Sequence, residues 1–414
     1  MASSEISTSS KILLVNKQLE KLYNIGKKES RIIIGLMSGT SLDGLDIALC
    51  KIHGAGKNTR VELLRFETIS YEDTYKNEVR EVYSKPLISS EKICLLNEWI
   101  GMYHAGLINA CLKKWNLKNE DIDLIASHGQ TIYHAPKSLH KHETFGNGTL
   151  QIGDGDHIAC HTGIITLSDF RQKHIAAGGE GAPLAAYGDY LLFANNPKSL
   201  VLLNIGGIAN LTFIPANKEF EHVKTTDIGP GNILMDIWIR KHFPGLNYDK
   251  DADIARSGMV NKQLLKILHQ HPFIKIKFPK TTGPEIFNES FIREALGFCD
   301  DKDIPAEDVT ATLNQFTADL ITASIDYYIS SMQDCEILIS GGGIHNKLLM
   351  DKIKKHFTHL PVSTTLNKEI SPDAKEAIIF ALLANESVSG NRDTFGKGGA
   401  KMPATGMGKI SFPY

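Results

Sequence analysis

The sequence Ile34-Gly35-Leu36-Met37-Ser38-Gly39-Thr40-Ser41-Leu42-Asp43-Gly44-Leu45-Asp46 decides the fold of this chain. An apolar run breaks into small hydroxyl and glycine residues around one carboxylate, and the apolar pattern resumes at Ile47. This pattern predicts a strand, a tight turn and a second strand. Such a turn exposes backbone N–H groups, hydroxyls and a carboxylate that can hold phosphate oxygens and a metal ion. An ordinary hairpin is the alternative interpretation.

Two further glycine turns follow buried strands later in the chain. Residues 200–214 again have the pattern of strand, small-residue turn and strand, and the apolar strand 337–339 runs into residues 340–343, Ser-Gly-Gly-Gly. Either turn alone would be typical of an ordinary strand end. Three such turns, two of them in matching hairpins, indicate a duplicated α/β unit with a nucleotide cleft between its halves. No Walker A loop and no GxGxxG fingerprint occurs, so hairpin turns are the predicted phosphate-binding elements.

The composition is that of a soluble globular protein with room for two domains. The chain has 414 residues, of which 42% are hydrophobic and 22% are charged. A net charge of −2 without a long basic block gives no reason to expect nucleic acid as a partner. The six cysteines form no CxxC pair, which favours reduced thiols, and no apolar run is long enough for a signal peptide or a membrane span. We therefore expect a cytoplasmic protein without a membrane partner.

Polar residues follow the predicted strands at several other points. After helical periodicity over roughly residues 75–117, the buried strand 123–126 runs into Ser-His-Gly-Gln-Thr at 127–131. The strand 163–167 runs into Ser-Asp-Phe-Arg at 168–171, ahead of a glycine-rich loop at 177–183. Because α/β folds place their ligands at strand ends, these segments are candidate binding elements.

Taken in order, a set of motifs closely resembles the anhydro-N-acetylmuramic acid kinase family. The motifs are SGTSLDG (38–44), SHGQT (127–131), LQIGD (150–154), DFR (169–171), AAGGEGAPL (176–184), LNIGGIANL (203–211), DIGPGNILMD (227–236), SGGG (340–343) and the acidic helix DAKEA (373–377). The match covers about residues 32–414. It implies an α/β fold of two duplicated actin-like, or ribonuclease H-like, domains around a nucleotide cleft, as in the superfamily of sugar kinases, Hsp70 and actin.

The resemblance also implies domain limits, a reaction and a bacterial origin. Residues 1–30 would be an N-terminal extension, residues 31–165 the first domain together with the C-terminal segment 390–414, and residues 166–389 the second domain. The family uses ATP, with Mg²⁺, to open the 1,6-anhydro ring of anhydro-N-acetylmuramic acid with water and to phosphorylate O6. The product is N-acetylmuramic acid 6-phosphate, in cell-wall recycling. The expected partners are an anhydrosugar and ATP, and a homodimer is left open.

By the same resemblance, the three glycine turns hold the nucleotide. The corresponding residues are Gly39, Thr40, Ser41 and Asp43 in the first phosphate loop, Gly206 and Gly207 in the second, and Gly341, Gly342 and Gly343 in the turn near adenosine. The ligands of the metal are not identified by the sequence.

Asp227 corresponds to the catalytic base of the family, which activates the attacking water. Its sequence context agrees, because a Gly-Pro-Gly turn and a helix from about Asn232 follow it, with Arg240 and Lys241 placed to complement the C-terminal end of that helix. We expect the positive end of the helix to keep Asp227 ionised. An Asp that only caps the turn is the alternative.

Glu376, Gln130 and Thr131 are expected at the sugar. The resemblance places Glu376 against the sugar, in the first turns of a helix that Ser371-Pro372 opens as an N-cap and first-turn pair. Without the resemblance, Glu376 would be interpreted as part of a helix surface. Gln130 and Thr131, at the end of the strand 123–126, are candidates for contacts to sugar hydroxyls.

Asp169, Arg171 and Lys173 form a second candidate substrate segment. Asp169 follows a buried strand and stands beside Arg171, so it either contacts the substrate or forms a structural pair with Arg171. The family has a more basic run after DFR, whereas this chain continues with Gln172-Lys173-His174. Lys173 could still supply a cation for the lactyl carboxylate of the substrate.

Two metal-site interpretations are weaker. Four histidines could suggest zinc, but they lack cysteine or carboxylate partners at zinc spacing; they are His128, His134, His140 and His142. Three alternating aspartates resemble the start of a calcium loop, but they lack its glycine at the sixth position and its glutamate at the twelfth; they are Asp249, Asp251 and Asp253. We expect these aspartates to form a solvated helix start.

Two other functions fit the same motifs. One is a kinase for a different 1,6-anhydrosugar such as levoglucosan. The other is an actin-like or Hsp70-like ATPase switch, which uses similar turns without a sugar. An Hsp70 would carry a further peptide-binding domain, for which 414 residues leave no room.

Overall fold

A computed structural model describes residues 16–414 except 194, 218, 330–333, 369, 392, 400 and 401. The elements of the first half are α1 (Lys17–Lys27), β1 (Ser30–Ser38), β2 (Gly44–His53), β3 (Arg60–Ser70), α2 (Asp73–Arg80), α3 (Ser90–Lys114), β4 (Leu124–Ser127), β5 (Gln130–Ala135), α4 (Lys137–His140), β6 (Gly148–Ile152), α5 (Gly155–Thr162), β7 (Thr166–Ser168), α6 (Phe170–Ala176) and α7 (Ala185–Phe193). The elements of the second half are β8 (Ser199–Ile205), β9 (Ile208–Ile214), β10 (Lys224–Pro230), α8 (Ile233–His242), α9 (Asp253–Ser257), α10 (Lys262–His269), α11 (Glu289–Gly297), α12 (Ala306–Ile329), β11 (Cys335–Ser340), α13 (Lys347–His356), β12 (Val362–Thr364), α14 (Lys375–Ser389), β13 (Gly398–Gly399), β14 (Met402–Pro403) and β15 (Lys409–Ser411).

The first sheet has the strand order β15-β7-β4-β1-β2-β3. Strands β1 and β2 form the predicted hairpin, antiparallel from Ser30 opposite His53 to Ser38 opposite Leu45, and β3 extends it antiparallel. Strands β4 and β7 then add in parallel to β1, and β15 closes the sheet antiparallel to β7. The turn at 39–43 therefore lies at the same edge of the sheet as the ends of β4 and β7.

The second sheet repeats this arrangement. Its order is β10-β9-β8-β11-β12, in which β8, β9 and β10 are antiparallel neighbours and β11 and β12 add in parallel to β8. The five strands β3-β2-β1-β4-β7 of the first sheet have the same order and directions. The predicted α/β fold of two duplicated ribonuclease H-like units is confirmed.

Helices α7 and α14 lie between the two sheets. One core cluster joins residues of both sheets to both helices, including Ile33, Leu202, Tyr187 and Ile378, whereas separate clusters cover the outer faces of the sheets under α2, α3 and α5 and under α8 and α10 to α13. The helices cross closely because Gly188 of α7 has no side chain, and a Cβ there would lie 2.5 Å from Ile379 of α14. Because α7 and α14 pack on both sheets, these two helices connect the two units.

Strand pairing differs from the predicted domain limits at one point. Strand β7 lies beyond the limit of 165, yet it pairs with β4 and β15 of the first sheet. We therefore propose that the division between the units falls after β7, with the C-terminal strand β15 in the first unit. Of the expected N-terminal extension, residues 17–27 form α1, which packs on α14, and residues 1–15 lie outside the described residues.

The helical segment predicted at 75–117 divides into α2 and α3. Ser84, between them, has a φ of 54°, a conformation that no helix interior contains. No helix in the described part of the chain combines the length and apolarity needed to cross a lipid bilayer.

Candidate active site

The first phosphate turn is anchored by a buried leucine. Leu42 is 3% exposed and has a φ of 60°, and its N–H donates to the carbonyl of Gly39 at 3.3 Å. Thr40, Ser41 and Asp43 are exposed around it. The buried Leu42 side chain therefore anchors the turn in the core. The hydroxyls of Thr40 and Ser41 and the carboxylate of Asp43 stay accessible to a ligand.

The second turn packs on the start of helix α8. The carbonyl of Gly206 accepts from the N–H of Asn232 at 2.9 Å, and that of Gly207 accepts from Gly231 at 2.8 Å and from Ile233 at 3.1 Å. Gly231 permits this approach, because a Cβ there would lie 2.2 Å from the carbonyl oxygen of Gly206. The turn and the helix start form one rigid element.

The third turn lies against the second. A Cβ at Gly343 would lie 2.2 Å from Ile205, and a Cβ at Gly341, whose φ is 83°, would lie 2.6 Å from Asn204. Gly342 has more room, since the nearest atom to its Cβ position is the side-chain nitrogen of Asn232 at 3.9 Å. The two turns predicted in the second unit therefore lie side by side.

Electrostatic contacts connect the first turn to the second unit. Burial raises the pKa of Asp236, on α8, to about 6; Arg240 lowers it and Asp43 of the first turn raises it. Burial also raises the pKa of Asp46, which accepts from Thr68 Oγ1 at 2.5 Å and is affected by Asp43. The first turn is thus within electrostatic range of helix α8, on whose start the second turn packs, and two aspartates to which the sequence assigned no role, Asp46 and Asp236, lie near it.

Asp227 lies in the second unit, at a bulge in β10. Its N–H donates to the carbonyl of Lys280 at 3.0 Å, and its Oδ2 accepts from the N–H of Thr282 at 2.9 Å. Burial raises the pKa of Asp227 to about 6; the Thr282 hydrogen bond opposes this shift and Glu285 adds to it. With a pKa of about 6, Asp227 is still mostly ionised at neutral pH, although burial brings its pKa closer to neutrality than that of an ordinary aspartate. The helix itself begins at Ile233 with Asn232 as N-cap, and Arg240 and Lys241 lie in its last turn, as predicted.

Glu376 lies in the first turn of α14, as predicted. The N-cap position belongs to Ala374 rather than to Ser371, whose Oγ instead accepts from the N–H of Ala374 at 3.4 Å in the turn that precedes the helix. Burial raises the pKa of Glu376, and Lys375 opposes the shift. Lys375 itself forms an ion pair with Asp189 of α7 at 2.8 Å, with side chains 6% and 3% exposed.

Arg171 and Asp169 do not form the hydrogen-bonded pair that was one of the two interpretations. Lys409 of β15 lies 2.6 Å from Asp169 Oδ2, and the influence of Asp169 on Arg171 is electrostatic only. Arg171 donates through Nη1 to the carbonyl of Gly181 at 2.8 Å and through Nη2 to Nε2 of His128 at 3.0 Å. Its Nε is buried and has no hydrogen-bond partner among the residues that the structure describes.

Burial lowers the pKa of Arg171 to about 10, and Glu376 acts in the opposite direction. The guanidinium is therefore within electrostatic range of the predicted sugar-contacting carboxylate. Lys173, two residues further along α6, is exposed. The structure brings Arg171 and Glu376 together and leaves Lys173 accessible to solvent.

Gln130 does not have the predicted position. It is fully buried, and its Oε1 accepts from Ser38 Oγ at 2.6 Å, so a direct contact to a sugar hydroxyl is incompatible with its place under the first turn. Thr131 is half-buried and donates to Oε1 of Gln151 at 2.8 Å across the β5–β6 hairpin. Of the two predicted sugar contacts, Thr131 therefore stays the candidate.

The weaker metal interpretations fit the structure poorly. His128 is held between Ser38 and Arg171 rather than among ligands. Asp249 is buried and accepts from two N–H groups at the start of α9, so it caps a helix and is not solvated as expected. Among the residues described, the three side chains found within 4.8 Å of one another as candidate metal ligands are exposed ones before β10: Glu219, Glu221 and His222.

Two duplicated ribonuclease H-like units, each with a glycine turn between its first two strands, define the actin-like fold. The sequence model of the family "Anhydro-N-acetylmuramic acid kinase" matches residues 31–411. An anhydro-N-acetylmuramic acid kinase of Pseudoalteromonas atlantica is 50% identical over 96% of this chain and 100% of its own length, and that of Caldanaerobacter subterraneus is 40% identical over 95% and 100%. The chain belongs to the anhydro-N-acetylmuramic acid kinase family and is a phosphotransferase that uses ATP and an alcohol acceptor.

Proposed function

We propose that this protein opens the 1,6-anhydro ring of anhydro-N-acetylmuramic acid with water and phosphorylates O6, giving N-acetylmuramic acid 6-phosphate for cell-wall recycling. The observation that carries the proposal is Asp227, a buried carboxylate with a pKa of about 6, in the unit that also supplies two glycine turns. A carboxylate of this pKa is mostly ionised at neutral pH and is a stronger base than an ordinary aspartate.

The nucleotide is assigned to the three turns. Backbone N–H groups of Gly39 and Gly206, with the hydroxyls of Thr40 and Ser41, would receive the phosphates, and the turn at 341–343 would lie near adenosine. The exposure of Thr40 and Ser41 supports this assignment, as does the room at Gly206, where the nearest atom to a Cβ would be 3.5 Å away. Hairpin turns of this kind bind phosphate through oriented backbone dipoles.

Three aspartates at the first turn and on α8 are candidates to hold a magnesium ion. Asp43 raises the pKa of both Asp46 and Asp236, so these carboxylates repel one another where the turns converge. Carboxylate oxygens are the protein ligands that Mg²⁺ prefers. We propose that Asp43, Asp46 and Asp236 hold it, directly or through water. When bound, Mg²⁺ neutralises phosphate charge during transfer.

The proposed reaction uses two carboxylates with different roles. Asp227 accepts a proton from water, the water oxygen attacks C1, and the bond from C1 to O6 breaks. The freed O6 then attacks the γ-phosphorus in line, and ADP leaves. Glu376 orients the water and the sugar. Because O6 already faces the γ-phosphate, hydrolysis and transfer share one closed site.

Arg171 is assigned to the lactyl carboxylate of the substrate. Its buried Nε has no hydrogen-bond partner in the described part of the chain, and an unpaired buried donor is costly unless a ligand supplies the acceptor. The planar guanidinium can give such a carboxylate two parallel hydrogen bonds. Lys173, exposed on the same short helix, would add a second positive charge.

A substrate panel tests the proposal. Purified protein with Mg·ATP is offered anhydro-N-acetylmuramic acid, N-acetylmuramic acid, levoglucosan and glucose, and products are identified by mass spectrometry. We expect phosphorylation of the anhydro-N-acetylmuramic acid with one ADP per sugar. Phosphorylation of only the sugars without an anhydro ring would contradict ring opening, and ADP release independent of every sugar would indicate an ATPase switch.

Isotope labelling tests which bond water attacks. In H₂¹⁸O, the fresh product should carry the label at the anomeric oxygen and none in the phosphate. Product must be read before anomeric exchange, so unlabelled sugar phosphate is incubated in parallel as the control. Label in the phosphate would show attack on phosphorus and would overturn the role of Asp227.

A further inference from the structure

His128 lies between the first phosphate turn and Arg171. Its Nδ1 is 3.1 Å from the carbonyl oxygen of Ser38, and its Nε2 is 3.0 Å from Nη2 of Arg171. A carbonyl oxygen can only accept and a guanidinium can only donate. The two contacts are therefore satisfied together by one form of the ring, a neutral imidazole with its proton on Nδ1.

The surroundings keep His128 in this form. The side chain is buried, and its ring centroid lies 4.8 Å from that of Phe380 on α14. Burial, with the charge of Arg171, lowers the pKa of His128 well below its usual value of 6.5. The ring thus stays uncharged at physiological pH, and its Nε2 remains an acceptor for the guanidinium.

Ser38 is the last residue of β1 and directly precedes the phosphate turn. It is fixed from the other side as well, because Tyr71 donates to its Oγ at 2.7 Å and its Oγ donates to Gln130 at 2.6 Å. The path from Tyr71 through Ser38 and His128 to Arg171 is continuous and buried. This path ends at Nη2 of Arg171. Among the described residues, Nη2 is the one guanidinium nitrogen that is hydrogen-bonded to a side chain.

We propose that His128 is a positioning residue that holds the guanidinium of Arg171 in fixed relation to the phosphate turn, so that the acidic group of the sugar and the γ-phosphate are aligned. The proposal rests on the proposed function, in which Arg171 receives the substrate carboxylate. His128 itself does not contact the reacting atoms. A displaced Arg171 would leave the sugar bound loosely and O6 out of line, which costs rate as well as affinity.

Two amide substitutions separate the two contacts of His128. In His128→Asn, the amide nitrogen can replace Nδ1 and still donate to Ser38, but no acceptor reaches Arg171. In His128→Gln, the amide oxygen can replace Nε2 and still accept from Arg171, but the donor to Ser38 is lost. Phe380→Leu serves as the control, because it removes the ring against which His128 packs and leaves both hydrogen bonds.

We expect His128→Asn to raise KM for anhydro-N-acetylmuramic acid by about 10–100-fold, with KM for ATP changed less than about threefold, because a hydrogen bond to a charged group is lost. His128→Gln should retain most of the sugar affinity. Phe380→Leu should lower the melting temperature with little change in KM. Equal losses of sugar affinity in the Asn and Gln variants that track their melting temperatures would reduce His128 to a structural residue and overturn the proposal.

The tautomer of His128 provides a readout that does not depend on the substrate. In ¹⁵N-histidine-labelled protein, the His128 ring should show a protonated Nδ1 and an unprotonated Nε2, the rarer tautomer of free imidazole. If wild-type protein phosphorylates no anhydrosugar, the proposed function fails, but this signal still reports the link. A ring protonated on Nε2, or on both nitrogens, would exclude the contact to Arg171 and overturn the inference.

Discussion

For catalysis, we expect the ability of the Asp227 side chain to accept a proton to be more important than its shape. Asp227→Asn preserves the volume, although the amide can no longer accept a proton from water. Turnover of anhydro-N-acetylmuramic acid should fall by about 10²–10⁴ or more while ATP and the sugar still bind. Single-turnover assays with calorimetric binding measurements check this expectation.

Asp169→Asn is the matched comparison. Its ion pair with Lys409 is 2.6 Å long, but the lysine side chain is 66% exposed, so the variant should lose less than about 1 kcal/mol of unfolding free energy. Sugar affinity should change more than the chemical step, through the charge that Asp169 places near Arg171. A near-normal rate for Asp227→Asn, with a collapsed rate and intact binding for Asp169→Asn, would reverse the assignment of the base.

The raised pKa of Asp227 predicts a pH dependence. The carboxylate is the active form, so protonation through its pKa of about 6 should lower kcat/KM as pH falls, with a slope of one decade per unit below that value. At pH 7 about nine-tenths of the group would be ionised. A pH–rate profile between pH 5 and 8, with ATP binding as the control, measures this, and a flat profile down to pH 5 would contradict it.

Residue roles could be predicted from the sequence only where a motif carried them. Asp227 was predicted as the base because a Gly-Pro-Gly turn follows it and because the family places its base there. Its raised pKa was not predictable, since it depends on burial in the folded chain and on Thr282 and Glu285, which lie more than fifty residues further along. Gln130 was misassigned for a related reason, because its burial depends on Ser38 of another strand.

At the scale of the element, the second hairpin turn provides a test of nucleotide binding. Gly206→Val should fold, because the nearest atoms to the new Cβ lie at 3.5 Å and 3.9 Å, which are ordinary contacts. The branched side chain should nevertheless occupy the phosphate approach and weaken ATP binding by roughly a hundredfold or more. Calorimetric titration with an ATP analogue, with circular dichroism as the fold check, measures both effects.

Gly343→Val supplies the contrast. Its Cβ would lie 2.2 Å from Ile205, so this variant should be less stable than the wild type even without ligand. Unchanged ATP affinity in a folded Gly206→Val protein would place the phosphates elsewhere in the cleft.

The ion pair between α7 and α14 predicts a stability effect. Lys375 and Asp189 are almost fully buried in the core that joins the units. Lys375→Met should lower the unfolding free energy by about 3–5 kcal/mol, because Asp189 would be left as an uncompensated buried charge. The double variant with Asp189→Leu should recover most of this loss in urea titrations. Additive losses in the double variant would show that the two charges are solvated independently.

The elements were predictable where one periodicity covers a whole segment. Both hairpins and β11 follow from local patterns, since their apolar residues face cores on both sides, and α8 follows from its helical periodicity. The start of α14 was not predictable in detail, because Ser371 caps a separate turn before the helix. Strand β15 has only three residues and pairs with β7, more than two hundred residues earlier, which local patterns cannot reveal.

At the scale of the whole molecule, the two proposed catalytic carboxylates belong to different charge clusters. Asp227 is influenced by Glu285 within the second unit, whereas Glu376 is influenced by Lys375, Asp46, Asp189 and Arg171 around the first unit and the connecting helices. A reaction that uses both requires the clusters to approach across the cleft. The core shared by α7 and α14 is the element about which the units would move.

We therefore expect the units to close when both substrates bind, which would also exclude water other than the nucleophile. Small-angle scattering of Asp227→Asn protein, in which bound sugar and ATP should stay unreacted, measures this directly. The radius of gyration should decrease with both ligands together and less with either alone, because only the full set of charges connects the two clusters. If saturating nucleotide and sugar leave the scattering curve unchanged, the two units do not close during the reaction. Asp227 and Glu376 would then act on opposite ends of a substrate that spans the open cleft.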